Sequence, residues 1–213
     1  MEKPIEQCPV LKTTDADFIR IMERLHKSLE NGMRSAKTTS ARRWLQERGL
    51  TYEATGACYN SGQIHHRRQQ PFKDDLMKIG FLKISTAATN AGQIPYTAFG
   101  FMSVIFPLRN MDNQVINFYA IRVKNNKTAF LNDDGIYPKY PGNYTERLII
   151  VYSALDAATV LQSGALKSGE AVMSLFDGQF KRQHYQAISA LKELKEITAI
   201  DSESNPVIIN SGL

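Results

Sequence analysis

Two acidic residues near the end of the sequence, Asp201 and Glu203, have a spacing that suits a pair of metal ligands. They follow the apolar segment EITAI, and alternate positions of an extended strand point to the same side. Asp156, in the first turn of an earlier predicted helix, could reach them from the neighbouring element. Carboxylates are oxygen ligands suited to Mg²⁺ or Mn²⁺. The alternatives are a polar loop for Asp201–Glu203 and a charge that suits the helix dipole for Asp156.

Tyr152 stands where this chemistry would need a further carboxylate. It follows the apolar run 148–151, which is typical of a buried parallel strand, and reactive groups lie just beyond the carboxyl ends of such strands. A phenol with a pKa of about 10 does not ordinarily bind Mg²⁺ at neutral pH. With Tyr152 in this position, Asp201 and Glu203 could hold one ion only weakly. The alternatives for Tyr152 are packing and a hydrogen bond to one of these acids.

The elements that position these residues change character along the sequence. Helical periodicity or capping residues predict helices over 15–30, 41–49 and 74–78. Strand-like runs around turn residues predict a β-hairpin over 100–123, followed by a short strand. From residue 148 the order is β-α-β-α-β, which favours parallel pairing with right-handed crossovers.

The predicted fold class is α/β, with two domains. Residues 1–142 are expected to form a mixed α+β N-terminal lobe, in which residues 1–35 are an arm and a helix. Residues 143–213 are expected to form a three-layer lobe around a parallel sheet.

The composition excludes several classes of protein. An apolar content of 43% and a charged content of 22% are ordinary for a globular protein of 213 residues. Two cysteines, Cys8 and Cys58, are too few for a disulfide framework or an all-cysteine zinc site, so we expect a reduced, cytoplasmic protein without zinc. No apolar run is as long as a membrane span, and the N-terminus lacks a signal-peptide core.

The net charge of +5 is concentrated in the N-terminal half. Between Arg34 and Arg68 seven basic residues face two acidic ones, which is typical of a surface that binds a polyanion, although solvated surface charge is the commoner cause of a modest excess. Tyr52 and Tyr59 could stack on unpaired bases, whereas the apolar spacing around Trp44 favours core packing. The candidate nucleic-acid-binding residues are Arg42, Arg43, Arg48, His65, His66, Arg67, Arg68, Arg122 and Lys124.

The adjacent histidines His65 and His66 are a poor metal pair. In an extended segment their side chains point to opposite faces and cannot easily hold one ion. We expect a basic surface loop, HHRR, that could contact phosphates.

Three segments, read in order, resemble the catalytic core of bacterial DnaG-type primases over residues 40–203. The first is ARRWLQERGL (41–50), which is similar to a helix that opens the core. The second is SVIFPLRNMDNQVINFYAIR (103–122), which resembles the FPI hairpin of the family. The third is RLIIVYSALDAATVLQ (147–162) with the segment 170–203, which resembles the first three strands of a TOPRIM domain. The phrases YNSGQIHHR and GIYPKYP are similar to a divergent branch found in mobile elements.

The resemblance implies roles for the strand-end residues. Tyr152 stands in place of the TOPRIM Glu that ends the first strand, and Asp156 matches the acidic residue of the following helix. The segment Asp201-Ser202-Glu203 occupies the position of the Asp-x-Asp motif, with Glu as its second acid.

The resemblance also implies features of the two lobes. Ser103 replaces the arginine that precedes FPI. Arg122 and Lys124 are expected to face the groove between the lobes, and the alternative is solvated charge at the end of a strand. The fourth TOPRIM strand and the primase zinc module are expected to have no counterpart in these residues. The second lobe is therefore expected to be an incomplete TOPRIM-like domain, with an edge open to strand pairing unless residues 205–213 cap it.

Three hypotheses follow from these residues and from the resemblance. The first is a replication-associated primase-like protein that binds single-stranded DNA, and ribonucleotides as a further ligand, with little or no primer synthesis alone. The second is an active nucleotidyltransferase that depends on Mg²⁺ or Mn²⁺. The third is a non-enzymatic interaction module, in which an open sheet edge pairs with a partner or with a second copy of the chain.

Overall fold

The computed structural model describes residues 11–35, 38–66, 68–85 and 96–200, together with the backbone of Pro206–Asn210. The described helices are α1 (Ala16–Arg34), α2 (Thr39–Gln46), α3 (Tyr52–Thr55), α4 (Gln70–Lys78), α5 (Ala154–Ser163) and α6 (Arg182–Ser189). The described strands are β1 (Cys58–Asn60), β2 (Leu82–Ile84), β3 (Tyr96–Ala98), β4 (Ser103–Arg109), β5 (Val115–Arg122), β6 (Thr128–Phe130), β7 (Arg147–Val151), β8 (Glu170–Ser174), β9 (Glu196–Ile200) and β10 (Pro206–Asn210). Every helix within these ranges is too short or too polar to span a bilayer.

The first sheet is antiparallel and has the strand order β1-β4-β5-β6. Its centre is a hairpin in which β4 pairs with β5 from Ser103↔Arg122 to Arg109↔Val115, so the hairpin predicted over 100–123 is confirmed. Side chains alternate between its two faces. One face packs against the apolar side of α1, and the other faces α5 and the second sheet.

A buried asparagine holds the loop that leaves the first sheet. The Asn117 side chain has no solvent exposure, and its Nδ2 donates to the carbonyls of Asn132 and Asp134 at 2.8 and 2.6 Å. Its Oδ1 accepts hydrogen bonds from the N–H groups of Asn132 and Phe118 at 3.0 and 2.7 Å. Because all of these polar groups are paired, burial of the amide carries no unsatisfied donor or acceptor.

The second sheet has the strand order β10-β9-β7-β8. The central strand β7 pairs in parallel with β8 and with β9, so that Val151, Ser174 and Ile200 lie side by side. We call this the carboxyl edge of the second sheet. The helices α5 and α6 follow β7 and β8, and the predicted α/β fold with a parallel second sheet is confirmed.

The open edge expected beside β9 is absent, because β10 occupies it. β10 pairs antiparallel with β9 from Pro206↔Ile200 to Asn210↔Glu196. The expectation of an open edge there is therefore wrong, and the alternative that the C-terminal residues cap it is confirmed. The apolar, β-branched segment VII within β10 is of the type that favours strands.

The two sheets share one hydrophobic core. Phe106 and Tyr119 of the first sheet belong to the same buried cluster as Val151 and Phe176 of the second. Phe176 also stacks on Phe130 of β6, with ring centroids 4.3 Å apart. The loops at the carboxyl edge are thereby held against the first sheet.

Candidate nucleic-acid interface and strand-end site

Tyr152 lies at the carboxyl end of β7 and packs on the loop that follows β8. Its ring is 39% exposed, and a Cβ atom at Gly178 would lie 2.4 Å from Tyr152 Cε2. The Gly178 N–H also donates to the Tyr152 carbonyl at 2.9 Å. Because Gly178 has a φ of +82°, both its backbone conformation and this close approach favour glycine. Tyr152 thus offers an aromatic face, rather than a carboxylate, at the strand end.

Asp156 caps its own helix. Its Oδ2 accepts hydrogen bonds from the N–H and the hydroxyl of Ser153 at 2.9 and 2.7 Å, and Ser153 Oγ accepts from the Asp156 N–H at 3.3 Å. This reciprocal arrangement is a capping box at the start of α5. One carboxylate oxygen of Asp156 is therefore already engaged by two donors.

Asp177, which the sequence analysis missed, lies on the loop after β8. Its Oδ1 accepts a hydrogen bond from Tyr119 Oη at 2.7 Å, and its Oδ2 accepts one from Thr128 Oγ1 at 3.1 Å. Burial, this hydrogen bond and the negative charges of Asp177 and Asp156 raise the pKa of Tyr119. Asp177 thus joins the loop after β8 to β5 and β6 of the first sheet. The only signal in the sequence is the dipeptide DG, which is typical of any turn.

The described residues of this edge do not fit a magnesium site by themselves. Tyr152 offers a phenol, Asp156 is a capping residue, and both carboxylate oxygens of Asp177 accept hydrogen bonds. Within the described ranges, no group of three histidine, cysteine or acidic side chains could hold a metal ion. Asp201 and Glu203 lie outside the described residues, so their assignment as ligands stays a prediction.

Arg48 connects α2 to the turn after β5. Its guanidinium lies 3.8 Å from the centroid of the Trp44 ring, and it donates to the Trp44 carbonyl at 3.0 Å and to Asn126 Oδ1 at 3.3 Å. Trp44 Nε1 donates to the same Asn126 oxygen at 3.0 Å. Core packing of Trp44 is confirmed, and any phosphate contact by Arg48 would compete with these interactions.

The other candidates near α2 differ in exposure. Arg42 is half-buried and donates to the carbonyl of Ser35, whereas Arg43 is exposed. Tyr52 is half-buried, and Tyr59 is buried. Tyr59 therefore presents little ring surface on which a base could stack.

His65 and His66 lie in a turn, not in an extended segment, so their rings are neighbours with centroids 4.5 Å apart. His65 is only 8% exposed and packs edge-on against Tyr96. Burial lowers the pKa of His65, as do the charges of His66 and Lys73, and the ring is therefore neutral at pH 7. The predictions that the two rings point to opposite faces and that His65 contacts phosphate are wrong, because the turn buries it.

His66 and Arg68 are exposed and line a groove of about 300 Å³ beside the C-terminal half of α1, which we call the first groove. Arg68 also lies 5.4 Å from the centroid of the Phe72 ring. Arg67 lies outside the described residues. The groove lining is Ser28, Leu29, Asn31, Gly32, Tyr59, Asn60, Ser61, Gln63, Ile64, His66 and Arg68.

A second groove, of about 150 Å³, contains an exposed aromatic ring and two cations. Phe101 is 45% exposed, and the Arg122 guanidinium lies 5.6 Å from its ring centroid. The Phe101 ring rests on Gly62, where a Cβ atom would lie 2.0 Å from Phe101 Cδ2. Because Gly62 follows Ser61 of the first groove, the two grooves meet at this point. The second groove is lined by Gly100, Phe101, Ser103, Ala120, Arg122, Lys127, Thr128 and Ala129.

Arg122 does not face the second sheet as expected. It lies two positions from Ala120 on β5, on the face that also carries Ser103 of β4. Tyr119, one position out of phase, points to the other face and contacts Asp177. Lys124 is exposed in the turn after β5. The expectation that Arg122 faces a groove between the lobes is therefore wrong, because strand alternation directs its side chain to the second groove.

Solved structures with the same fold are catalytic cores of DnaG-type primases. The RNA polymerase domain of Mycobacterium tuberculosis primase DnaG matches with a TM-score of 0.70 and 12% identity, over 89% of this chain and 67% of that chain. The E. coli primase catalytic core matches with a TM-score of 0.57 and 16% identity, over 92% and 73%. A DnaG primase catalytic domain bound to single-stranded DNA matches with a TM-score of 0.61 and 14% identity, over 87% and 71%. The fold that the sequence resemblance implies is confirmed.

No family model matches the sequence, and no curated protein is significantly similar to it.

Proposed function

We propose that this chain is a replication-associated, primase-like protein that binds single-stranded DNA and makes little or no primer on its own. The fold supports the proposal, since a DnaG catalytic domain of the same fold was solved with single-stranded DNA. The same proposal includes a division into lobes of residues 1–142 and 143–213, a cytoplasmic location and kinship with a mobile-element branch. So does weak binding of Mg²⁺ or Mn²⁺ by Asp201 and Glu203, with ribonucleotides as a further ligand.

The observation that carries the proposal is the pairing of Phe101 with Arg122 in the second groove. An exposed ring beside a guanidinium offers a base both a stacking surface and a favourable charge. Among the described residues, no acidic side chain forms an ion pair with Arg122, so its charge is available to a phosphate. Lys127 lines the same groove and adds a second cation.

The first groove extends this surface. It supplies Arg68 and His66, and it meets the second groove at Ser61 and Gly62. We call the joined surface the basic track. It presents cations together with Phe101 and carries no acidic side chain among its described lining residues. A backbone of phosphates is the polymer that best matches a charged, elongated surface of this kind.

Binding to a labelled dT20 oligonucleotide tests this part of the proposal. If Arg68, Arg122 and Lys127 each contact one phosphate, log K should fall with log salt with a slope of about −2. Arg122→Ala is expected to weaken binding about 5-fold and to reduce the slope by about 0.7, because one phosphate contact is lost. Fluorescence anisotropy from 20 to 200 mM NaCl gives both quantities.

The matched control for this experiment is Lys192→Ala, which removes one exposed positive charge just before β9, at the opposite end of the second sheet. Lys192→Ala should leave affinity and slope nearly unchanged. Equal losses for the two variants would show that only net charge matters. No binding by the wild-type protein at 20 mM salt would remove the proposal.

The second part of the proposal concerns primer synthesis. The described strand-end groups are a phenol, a capping carboxylate and a carboxylate held by two hydroxyls, and none of them is poised to hold a metal ion. We therefore expect no template-dependent RNA above background when the protein is incubated with single-stranded template, ribonucleotides and Mn²⁺. Denaturing gels with labelled ribonucleotide would show this directly.

The active-enzyme alternative makes the opposite prediction for the same assay. Short RNA products that disappear in Asp201→Ala but persist in Glu193→Ala would establish catalysis by this chain. Glu193 is a suitable control because it is an exposed acid close to β9 in the sequence. The interaction-module alternative loses its main support, since β10 covers the edge on which it depended.

A further inference from the structure

The carboxyl edge of the second sheet carries three exposed aromatic side chains. Tyr152 follows β7, while Phe180 and Tyr185 lie just before and within the first turn of α6. Their exposed fractions are 39%, 42% and 60%. Because α6 begins on the loop that leaves the carboxyl end of β8, all three rings lie at this edge. We call the three residues the aromatic platform.

Contacts with buried groups hold these rings in place. The Phe180 and Tyr185 rings lie 5.3 Å apart, and Phe180 packs edge-on against the fully buried His184 at 5.8 Å. Tyr152 rests on Gly178, two residues before Phe180. The faces that remain exposed therefore belong to positioned side chains, which lowers the entropy cost of stacking a ligand on them.

Charges of both signs lie near the platform: Arg182 is a cation, while the carboxylates of Asp156 and Asp177 at the same edge already accept hydrogen bonds. Arg182 is exposed and has no ion-pair partner among the described residues. Lys181 pairs with Asp133 at 3.0 Å, so this second cation is neutralised. Exposed aromatic rings beside a free guanidinium match a ligand with flat apolar faces and negative charge, which is the chemistry of unpaired nucleotides.

A short chain of contacts links the platform to the basic track. Thr128 lines the second groove, and its hydroxyl donates to Asp177 at 3.1 Å. Asp177 directly precedes Gly178, on which Tyr152 rests. Thr128 of the edge strand β6 and Asp177 therefore connect the second groove to the loop on which Tyr152 rests.

We propose that Tyr152, Phe180 and Tyr185 form a stacking site for unpaired bases of the single strand that leaves the basic track. The proposal rests on the proposed function, because it presumes that single-stranded DNA binds this chain. It also gives Tyr152 a function: the aromatic ring at the end of β7 contacts bases instead of binding a metal ion. Stacking of this kind is independent of base sequence, because every base has a flat face.

A pair of oligonucleotides separates stacking from phosphate contacts. One is dT12, and the other is a 12-mer of abasic sites with the same number of phosphates. The wild-type protein should bind dT12 about 10-fold more tightly than the abasic 12-mer. The double variant Phe180→Ala/Tyr185→Ala should lose most of this preference, while its affinity for the abasic 12-mer stays within about 2-fold of wild type.

Two control variants make the result specific. Phe180→Tyr/Tyr185→Phe keeps both rings and should retain the preference for dT12. Tyr144→Ala removes a tyrosine of similar exposure, 69%, located just before β7 at the opposite end of the sheet, and should change nothing. Circular dichroism and thermal unfolding confirm that each variant is folded.

The outcomes distinguish this proposal from the one on which it rests. If the wild-type protein binds neither oligonucleotide at low salt, the proposed function fails and the stacking site fails with it. If the wild type prefers dT12 and the double alanine variant keeps the same preference, the basic track survives and the stacking site alone is overturned. Loss of preference in Tyr144→Ala would also overturn it.

Discussion

Lowering the pH from 7 to 5 is expected to destabilise the folded protein by about 2 kcal/mol through His184. This ring has no solvent exposure, and its Nδ1 accepts a hydrogen bond from the Lys181 N–H at 2.8 Å. The Phe176 and Phe180 rings pack against it at 5.6 and 5.8 Å. Burial lowers the pKa of His184 to about 4.

The folded protein loses stability at low pH because the unfolded state binds the proton at a higher pH than the folded state does. An unfolded histidine has a pKa of about 6.5, so the unfolded chain is protonated while the folded ring is still neutral. The stability contributed by the buried neutral ring is complete above pH 6.5, and it is lost progressively as the pH falls towards 4. Protonation also places a charge between two aromatic rings in a dry site, which is unfavourable.

Urea unfolding at pH 7 and pH 5 measures this loss, and His184→Asn identifies its source. Asparagine keeps an acceptor near the position of Nδ1 but does not titrate, so the variant should be less stable at pH 7 and should lose less stability on acidification. The remaining pH dependence is expected from His26 and His65, since burial lowers the pKa of both. An unchanged difference between pH 7 and pH 5 in the variant would contradict the prediction.

The strand and helix pattern of the second sheet was predictable because it depends on local composition. The run Leu148–Val151 is apolar and mostly β-branched, which is typical of a strand covered on both faces. The hairpin of β4 and β5 was predictable for a related reason, since turn residues separate two strand-like runs. In both cases the information lies within one short, continuous stretch of chain.

The strand-end contacts were not predictable, because they join distant residues. Asp177 lies in a segment that is typical of any turn, and its partner Tyr119 is 58 positions earlier in the sequence. The exposure of Phe180 and Tyr185 depends on how α6 packs on the second sheet, which local periodicity does not determine. A functional role for these residues is visible only once the carboxyl edge is assembled.

Errors among the basic residues have a different cause. A basic side chain that adds to the positive charge of a surface is not always free to bind phosphate. Arg48 already contacts Trp44 and Asn126. His65 was expected at the surface because its neighbours are polar, yet a tight turn places its ring against Tyr96. Charge density along a sequence therefore predicts the sign of a surface better than it predicts which residues form it.

Removing the Asp177 carboxylate is expected to cost about 3 kcal/mol of folding free energy. Asp177→Ala leaves the buried Tyr119 hydroxyl without its acceptor and also frees Thr128 Oγ1, so two contacts between the sheets are lost. Part of the cost is conformational, because Asp177 has a φ of +46°, which alanine adopts less readily than aspartate or asparagine. Asp177→Asn keeps this backbone preference and one acceptor oxygen, and it should cost about 1 kcal/mol.

A double-mutant cycle with Tyr119→Phe separates the hydrogen bond from the backbone effect. The strain at position 177 is present in both backgrounds and cancels, so the coupling energy reports the Tyr119–Asp177 contact, for which we expect about 1.5 kcal/mol. Urea unfolding of the wild type, the two single variants and the double variant gives this value. Strictly additive losses would show that the hydroxyl and the carboxylate do not stabilise each other. Coupling of the expected size would establish that Asp177, which lies between the basic track and the aromatic platform, is held in position by the first sheet.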